Sequence, residues 1–284
     1  GNTLLQVMNV GPALVRQAIR SLLSSHDPEE LDVVVIEQGG DTVKRMIDKE
    51  FPDAKLRWMP AEDGWGFSEI NNVAVATSTA PYLLLLNNDI ICKPGFLAEM
   101  VAAMEAHSDV GIVGAKLLHS NGTIQHCGVA FRTEGVPYHI GYDRKDDGTF
   151  QPATRDDYYD AVTFACALIR REVWDAVGGM DEAYFFNYED IDFCLKAREA
   201  GWKCWVAQKA VLTHLEGKSL DARNTVKHSI LRNIHILRDR WIRTGKLGRL
   251  IGSRIDPTSA TLADERLNIA FVPSSKDSGV PWWR

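Results

Sequence analysis

"LLLLNNDI", residues 83–90, decides how the rest of the chain is read. Four leucines in a row, with no polar alternation, describe a strand buried on both faces, as in the middle of a parallel sheet. The strand runs out into Asn87, Asn88 and Asp89, residue types that cap turns or hold metals and phosphate. Open α/β sheets bind ligands beyond the carboxyl ends of their strands, so these three side chains stand where a site is expected.

The flanking sequence fits the same architecture. "TLLQVMN" (3–9), "LDVVVIEQ" (31–38) and "KLRWM" (55–59) read as strands. Pro12 opens a helix with Leu14, Val15, Ala18, Ile19 and Leu22 on one face, and "FSEINNVAVAT" (67–77) is a second helix. Pro94 opens a third, striped by Phe96, Leu97, Met100, Val101 and Met104. This alternation predicts an α/β fold built on a mainly parallel sheet. Asn9 and Glu37 join Asp89 at strand ends.

From about residue 111 longer strands are expected in "GIVGAKLL", "TIQHCGVAF", "AVTFACALI" and "KCWVAQKAVLTH" (203–214). The polar stretch 140–160 predicts a mobile loop. A helix follows Asp190, with Ile191, Cys194, Leu195 and Trp202 buried and the i,i+4 pairs Asp192/Lys196 and Glu199/Lys203 on the wet side. Val226, Ile230, Ile234, Leu237 and Trp241 stripe a long basic helix, and 256–284 shows no period outside "LNIAFV".

The chain has 284 residues, 45% hydrophobic and 25% charged, enough for a sizeable core. No apolar run approaches the roughly 18–20 residues that span a bilayer, and no charged-then-apolar leader opens the sequence. Five widely spaced cysteines with no C-x-x-C pair argue against a disulfide framework or thiolate zinc site, so a cytoplasmic location is expected. Net charge is −6, yet residues 223–254 hold nine Lys/Arg against Asp239 alone. That basic stretch is either a solvated helix face or a peripheral contact with an anionic membrane at its inner face. No nucleic-acid partner is expected.

Three clusters could carry chemistry. Asp89 is a poor cage alone, but Mg²⁺ is commonly held by one or two side chains plus substrate oxygens. In "DEAYFFNYEDIDFCLKAREAGW" (181–202), Glu189 and Asp190 stand at a helix start, where the macrodipole stabilises carboxylates. There a carboxylate can accept a hydroxyl proton, with Tyr184, Phe185, Phe186 and Tyr188 as pocket walls. The plain alternative is N-terminal helix charge with Asn187 as cap. In "LTHLEGKS" (212–219), His214 ends a strand before Lys218 and Ser219. Imidazole, carboxylate and phosphate oxygen together suit Mn²⁺ as well as Mg²⁺. The glycine spacing fits neither a P-loop nor a dinucleotide fingerprint.

Taken in order, these segments resemble the family 2 inverting glycosyltransferases of GT-A fold, especially their bacterial rhamnosyltransferase-like branch, over roughly residues 3–220. The resemblance implies a nucleotide-binding half to about 110 and an acceptor half at 111–220; charge and periodicity add a basic helical extension at 221–255 and a tail or the start of a further domain at 256–284. It assigns Asn9, Glu37, Gly66, Phe67, Asn71 and Asn88 to the nucleotide, and Asp89 and His214 to a divalent cation, Mg²⁺ or Mn²⁺. It makes Asp190 the catalytic base with Glu189 as its partner. Ser219 is placed near the diphosphate; on the residues themselves Lys218 is a further candidate for phosphate, Trp65 for sugar or acceptor, and Asp181 either for the acceptor or as a turn cap. The implied substrates are a nucleoside-diphosphate sugar, UDP or dTDP type, and a glycan or lipid-linked acceptor. Two departures stand out: Glu37 replaces the usual Asp, and Asn87 replaces the first acid of D-x-D. A sugar-1-phosphate nucleotidyltransferase would need an early G-G-x-G-T-[RK] loop, which "MNVGPALVR" lacks. A non-catalytic nucleotide-sugar-binding module of a larger polysaccharide-assembly protein is the remaining alternative.

Overall fold

The computed structural model describes residues 2–6, 12–26, 31–215 and 223–252. Its first half runs β1 (Asn2–Gln6), α1 (Pro12–Ser25), β2 (Asp32–Gln38), α2 (Thr42–Glu50), β3 (Leu56–Ala61), α3 (Phe67–Ala76) and β4 (Tyr82–Asn87). These strands are all parallel, in the order β4-β1-β2-β3. The chain therefore winds outward from β1 to β3 and returns on the opposite side at β4. That reversal opens a crevice beyond the carboxyl ends of β1 and β4.

Alternate leucines of β4 serve opposite layers. Leu83 and Leu85 join the core layer of Ile70 and Ala74 from α3, whereas Leu84 and Leu86 join that of Ile19 and Leu22 from α1. None of the four is more than 1% exposed. Each contributes about 1.5–3 kcal/mol of burial, so the strand end that carries Asn87 is firmly anchored.

The second half continues through β5 (Ile90–Ile91), α4 (Phe96–Ala106), β6 (Val110–Leu118), β7 (Ile124–His126), β8 (Val129–Phe131) and β9 (Pro137–His139). There follow β10 (Asp157–Tyr159), β11 (Cys166–Arg170), α5 (Arg171–Val177), α6 (Glu189–Glu199) and β12 (Lys203–His214). β11 lies antiparallel to β4 and β6, and β12 runs parallel to β6, so the 10-stranded sheet is mixed. β8 and β9 form a separate hairpin.

Three expectations for this half need correction. "TIQHCGVAF" is not one strand: it breaks at Gly128, whose φ of 133° and contact with the Tyr159 ring exclude a side chain. In "AVTFACALI" the regular strand starts only at Cys166. The stretch 140–160 is tied down more than its polarity predicts. It contains β10 and a 3₁₀ turn at Gln151–Ala153, and buried Lys116 donates to Asp146 at 2.8 Å and to the Ala153 carbonyl at 3.2 Å. All five cysteines are buried free thiols.

The chain then forms α7 (Arg223–Leu237), a π-helical turn (Arg238–Ile242) and α8 (Lys246–Ile251). Ile230, Ile234, Leu237 and Trp241 are buried, as their spacing predicts. Among the described residues no helix is long and apolar enough to cross a membrane. Much of the basic charge is paired: Arg240 with Asp181 and Asp192, Arg243 with Asp239, and Lys246 with Glu199.

This packing overturns the wet-side reading of α6. Asp192 does pair with Lys196 at 3.0 Å, but it is fully buried beneath the extension. It accepts from Arg240 Nη1 at 2.9 Å, Trp241 Nε1 at 2.7 Å and the Tyr184 hydroxyl at 3.2 Å. Tyr184 is thus a core residue rather than a pocket wall. Glu199 and Lys203 do not pair, because α6 ends between them and Lys203 turns to Asp109 at 2.7 Å. Arg240→Leu would leave buried Asp192 with Lys196 as its remaining cation in this cluster, so a cost of about 1–3 kcal/mol in urea unfolding is expected. Arg240→Leu combined with Asp192→Asn should recover part of that loss. A cost below about 1 kcal/mol would show that the pair behaves like an exposed one.

Candidate functional site

The sharp turn after β4 brings Asp89 against the end of β12. β5 pairs with β12 through His214↔Ile90 and Thr213↔Ile91, and Leu215 N donates to the Asp89 carbonyl at 2.9 Å. His214 Nε2 then lies 3.0 Å from Asp89 Oδ1. The opposite ring nitrogen, Nδ1, lies 2.6 Å from Gln125 Oε1. With the proton on Nδ1, the Nε2 lone pair would face the carboxylate. Two acceptors facing one another at this distance suit a shared cation or proton.

The pair fits a divalent cation. Two adjacent ligands on an octahedral ion, each about 2.1 Å away, lie about 3 Å from one another. Among the described residues no group of three or more His, Cys, Asp and Glu is placed to hold a metal. Water and substrate oxygens would supply further positions of such an ion. Neighbouring Asn88 is buried, and among the described residues its Nδ2 has no hydrogen-bond partner.

The Glu189–Asp190 pair meets this edge through one short stretch. Asn87 N donates to the Ala165 carbonyl at 2.9 Å, and Phe164 N donates to Asp190 Oδ2 at 3.3 Å. Residues 164 and 165 therefore carry the end of β4 on one flank and Asp190 on the other. Asp190 Oδ1 also accepts from Ile191 N at 2.8 Å. Burial pushes the Asp190 carboxyl above its ordinary value, while the N–H groups of Ile191 and Phe164 and the Thr163 hydroxyl pull it partly back. Burial and the Asp190 charge push Glu189 well above its ordinary value. Among the described residues, buried Glu189 Oε2 has no hydrogen-bond partner.

A strained turn delivers these carboxylates. The cap of α6 is Tyr188 rather than Asn187, and both adopt left-handed backbone, with φ of 70° and 73°. Such residues cost on the order of 1 kcal/mol each and persist only when held from outside. Buried Asn233 on α7 supplies one hold, donating to the Phe186 and Asn187 carbonyls at 2.7 and 2.9 Å. Across the crevice, α3 supplies another. Phe67 N donates to the Phe185 carbonyl at 2.9 Å, and Asn72 exchanges hydrogen bonds with the backbone of Met180 at 2.8 and 2.9 Å. A Cβ on Gly66 would stand 2.6 Å from the Phe185 carbonyl, so only glycine allows this docking. Sequence reading missed Gln125, Asn72 and Asn233, since no local pattern marks a buried amide.

The other expected site residues divide. Glu37 is buried at the end of β2, where it accepts from Val43 N at 2.7 Å, Lys44 N at 3.1 Å and Trp58 Nε1 at 3.0 Å. It caps α2 and orients Trp58. Asn71 is buried and bonds the Phe67 carbonyl within its own helix, and Trp65 packs half-buried on the core. Asp181 caps a turn through Ala183 N and pairs with Arg240 and Lys196. Burial raises its carboxyl, but these donors outweigh burial and hold it at about 2. Asn9, Lys218 and Ser219 lie outside the described residues.

Residues 7–233 match the model of the glycosyltransferase-like family 2. The chain belongs to that family. It is 33% identical to an uncharacterized protein of Sinorhizobium fredii over 80% of its length, and 27% identical to the O-antigen biosynthesis protein RfbC of Myxococcus xanthus over 73%. It spans only 26% and 17% of those two proteins. An N-acetylglucosaminyl-diphospho-decaprenol L-rhamnosyltransferase of Mycobacterium tuberculosis is 22% identical, with 72% of each chain covered. Among solved structures, the Pyrobaculum calidifontis mannosyltransferase PcManGT, in complex with GDP-Man and Mn²⁺, superposes with a TM-score of 0.62. The alignment has 15% identity and covers 97% of this chain and 76% of that one. GalNAc-T7 with UDP, GalNAc and Mn²⁺ gives 0.61 at 13% identity, over 76% and 44% of the two chains. The architecture is the GT-A fold.

The raised Glu189 carboxyl carries a stability consequence. Folded protein holds a proton that the unfolded chain releases, so stability falls as pH rises from the ordinary carboxylate range toward the raised folded value. Glu189→Gln removes that dependence. Its stability relative to wild type should increase between pH 4 and pH 8, by about 1.4 kcal/mol for each pKa unit separating the two states. Urea titrations at several pH values test this; a difference that does not change with pH would contradict it.

Proposed function

We propose that the chain transfers a sugar from a nucleoside diphosphate, of UDP or dTDP type, to a hydroxyl of a glycan or lipid-linked acceptor, with inversion at the anomeric carbon. The observation that carries this reading is the convergence of a carboxylate of raised basicity, Asp190, with the Asp89–His214 pair across residues 164–165. Leaving-group chemistry and proton removal need those two charges side by side but not in contact.

In this reading Asp190 takes the acceptor hydroxyl proton while the oxygen attacks the anomeric carbon. The bond to the diphosphate breaks on the opposite face, and its electron pair leaves with the diphosphate. Asp89 and His214 are the residues that would hold Mg²⁺ or Mn²⁺, which when bound neutralises diphosphate charge. Glu189, retaining its proton, adds no second negative charge beside Asp190. Asn88 offers an amide donor at the same edge. Gly66 and Phe67 keep α3 against the Glu-Asp segment, and Glu37 holds the β2–α2 junction that lines the nucleotide crevice. Asn9 and Ser219 keep the roles that the resemblance implies, and Lys218 and Trp65 those expected from their residue types. The acceptor class is supported by the rhamnosyltransferase relative, whose name specifies a diphospho-decaprenol.

The test is release of nucleoside diphosphate and formation of glycoside from a panel of UDP-, dTDP- and GDP-sugars with Mg²⁺ or Mn²⁺. Asp190→Asn should lower kcat by about 10²–10⁴-fold while donor binding persists. Retention of most of the transfer would remove Asp190 as base. Nucleotide-sugar binding with no turnover in wild type, metal present, would instead favour a non-catalytic module. Because Asp190 must be ionised, kcat/KM should fall on the acid side with an apparent pKa above that of an ordinary aspartate. A limb at the ordinary value would mean that another group sets it.

A further inference from the structure

A second concave surface lies beside the site. The β8–β9 hairpin and the segment after it enclose a pocket of about 340 Å³, lined by Arg132, Tyr138, His139, Tyr142, Arg144 and Phe150 among others. It adjoins the cation pair through β7. Ile124 N donates to the Arg144 carbonyl at 2.8 Å, and Asp143 N donates to the Ile124 carbonyl at 2.8 Å. The next residue, Gln125, is the one that orients His214. The residue after that, His126, has its Nδ1 2.8 Å from His139 Nδ1, in the pocket wall.

The charge in this pocket is one-sided. The Arg132 guanidinium stacks over Tyr138 at 5.3 Å and that of Arg144 over Phe150 at 4.7 Å. Stacking holds a guanidinium plane by its face and leaves its N–H edge for an acceptor. Neither arginine makes an ion pair among the described residues, although carboxylates are plentiful nearby. Asp143 faces His119 at 3.6 Å, Asp146 is taken by buried Lys116 at 2.8 Å, and Asp147 accepts from Thr149 N at 3.0 Å and Oγ1 at 2.6 Å. Among the described residues no carboxylate lines the pocket. Burial, with the neighbouring His214 and His119, holds His139 down at about 4, so near neutral pH it offers a hydrogen bond rather than a third positive charge.

We propose that this pocket is an acceptor subsite for an oxyanion, a phosphate ester or sugar carboxylate carried by the molecule whose hydroxyl is glycosylated. Paired guanidiniums at an aromatic wall match such groups in shape and charge. The nucleotide crevice lies beyond β1, β2 and β4, whereas the pocket belongs to the second half of the chain, so its anion comes with the other substrate. Its standing as an acceptor subsite rests on the glycosyl-transfer reading; its affinity for oxyanions does not.

Calorimetry on the full chain in EDTA, which keeps cations from Asp89, separates the two. Wild type should bind inorganic pyrophosphate, glucuronate or both, and the responding probe identifies phosphate or carboxylate as the group recognised. Arg132→Gln with Arg144→Gln should weaken that binding about tenfold or more, as expected for loss of charge-assisted hydrogen bonds. Arg155→Gln, at an exposed arginine outside the pocket, should bind as wild type does. No binding by wild type, or equal binding by the double variant, overturns the oxyanion site. If the double variant loses binding only to phosphatidylglycerol vesicles, the surface is a membrane contact and the subsite falls. In the transfer assay, the double variant should raise KM for an acceptor bearing the recognised anion about tenfold, and an unchanged acceptor KM overturns the acceptor role. Absence of any transfer would sink the enzymatic reading and leave the titrations valid.

Discussion

The antiparallel seating of β11 against β4 is the constraint on which the site depends. It pairs Leu86 with Cys166 and lets Asn87 N reach the Ala165 carbonyl. Because β11 enters the sheet from the carboxyl end of β4, the residues leading into it must cross the ligand edge. Phe164 thus offers its N–H to Asp190 within a few residues of Asp89. A shift of one residue in this register would exchange the faces of the β11 side chains and move Phe164 away from both carboxylates.

A second constraint comes from crowding of negative charge. Glu189, Asp190 and Asp192 all lie in the first turn of α6. Asp192 is paired inward with Arg240 and Lys196, and burial together with the Asp190 charge pushes Glu189 well above its ordinary value. The extension after β12 is part of this arrangement. It brings Arg240 and Trp241 onto Asp192, and Asn233 onto the left-handed turn before α6. Through Arg240 this basic extension reaches into the interior of the protein.

Gln125 shows the same logic at the cation pair. It sits on a short strand that periodicity fused with its neighbour, yet it sets which nitrogen of His214 faces Asp89. The histidines of β7 and β9 continue that line toward the arginine pocket. One strand of three residues thus couples the two surfaces where substrate charge would be met.

The amino-acid sequence by itself determined the winding of the first half, because buried runs such as 83–86 and helical stripes such as Val15, Ala18, Ile19 and Leu22 record faces in a local period. It also marked Asp89, Asp190 and His214 as residues of interest, by their position at the ends of apolar strands or at a helix start. Only the tertiary structure decided that Asp192 is buried, that Tyr184 is core and that Glu37 caps α2. It also decided that Asn72, Asn233 and Gln125 hold the site in shape. The physical reason is the range of the interactions. Apolar burial repeats along a segment and can be read there, whereas the partner of a polar group comes from distant chain and leaves no period behind.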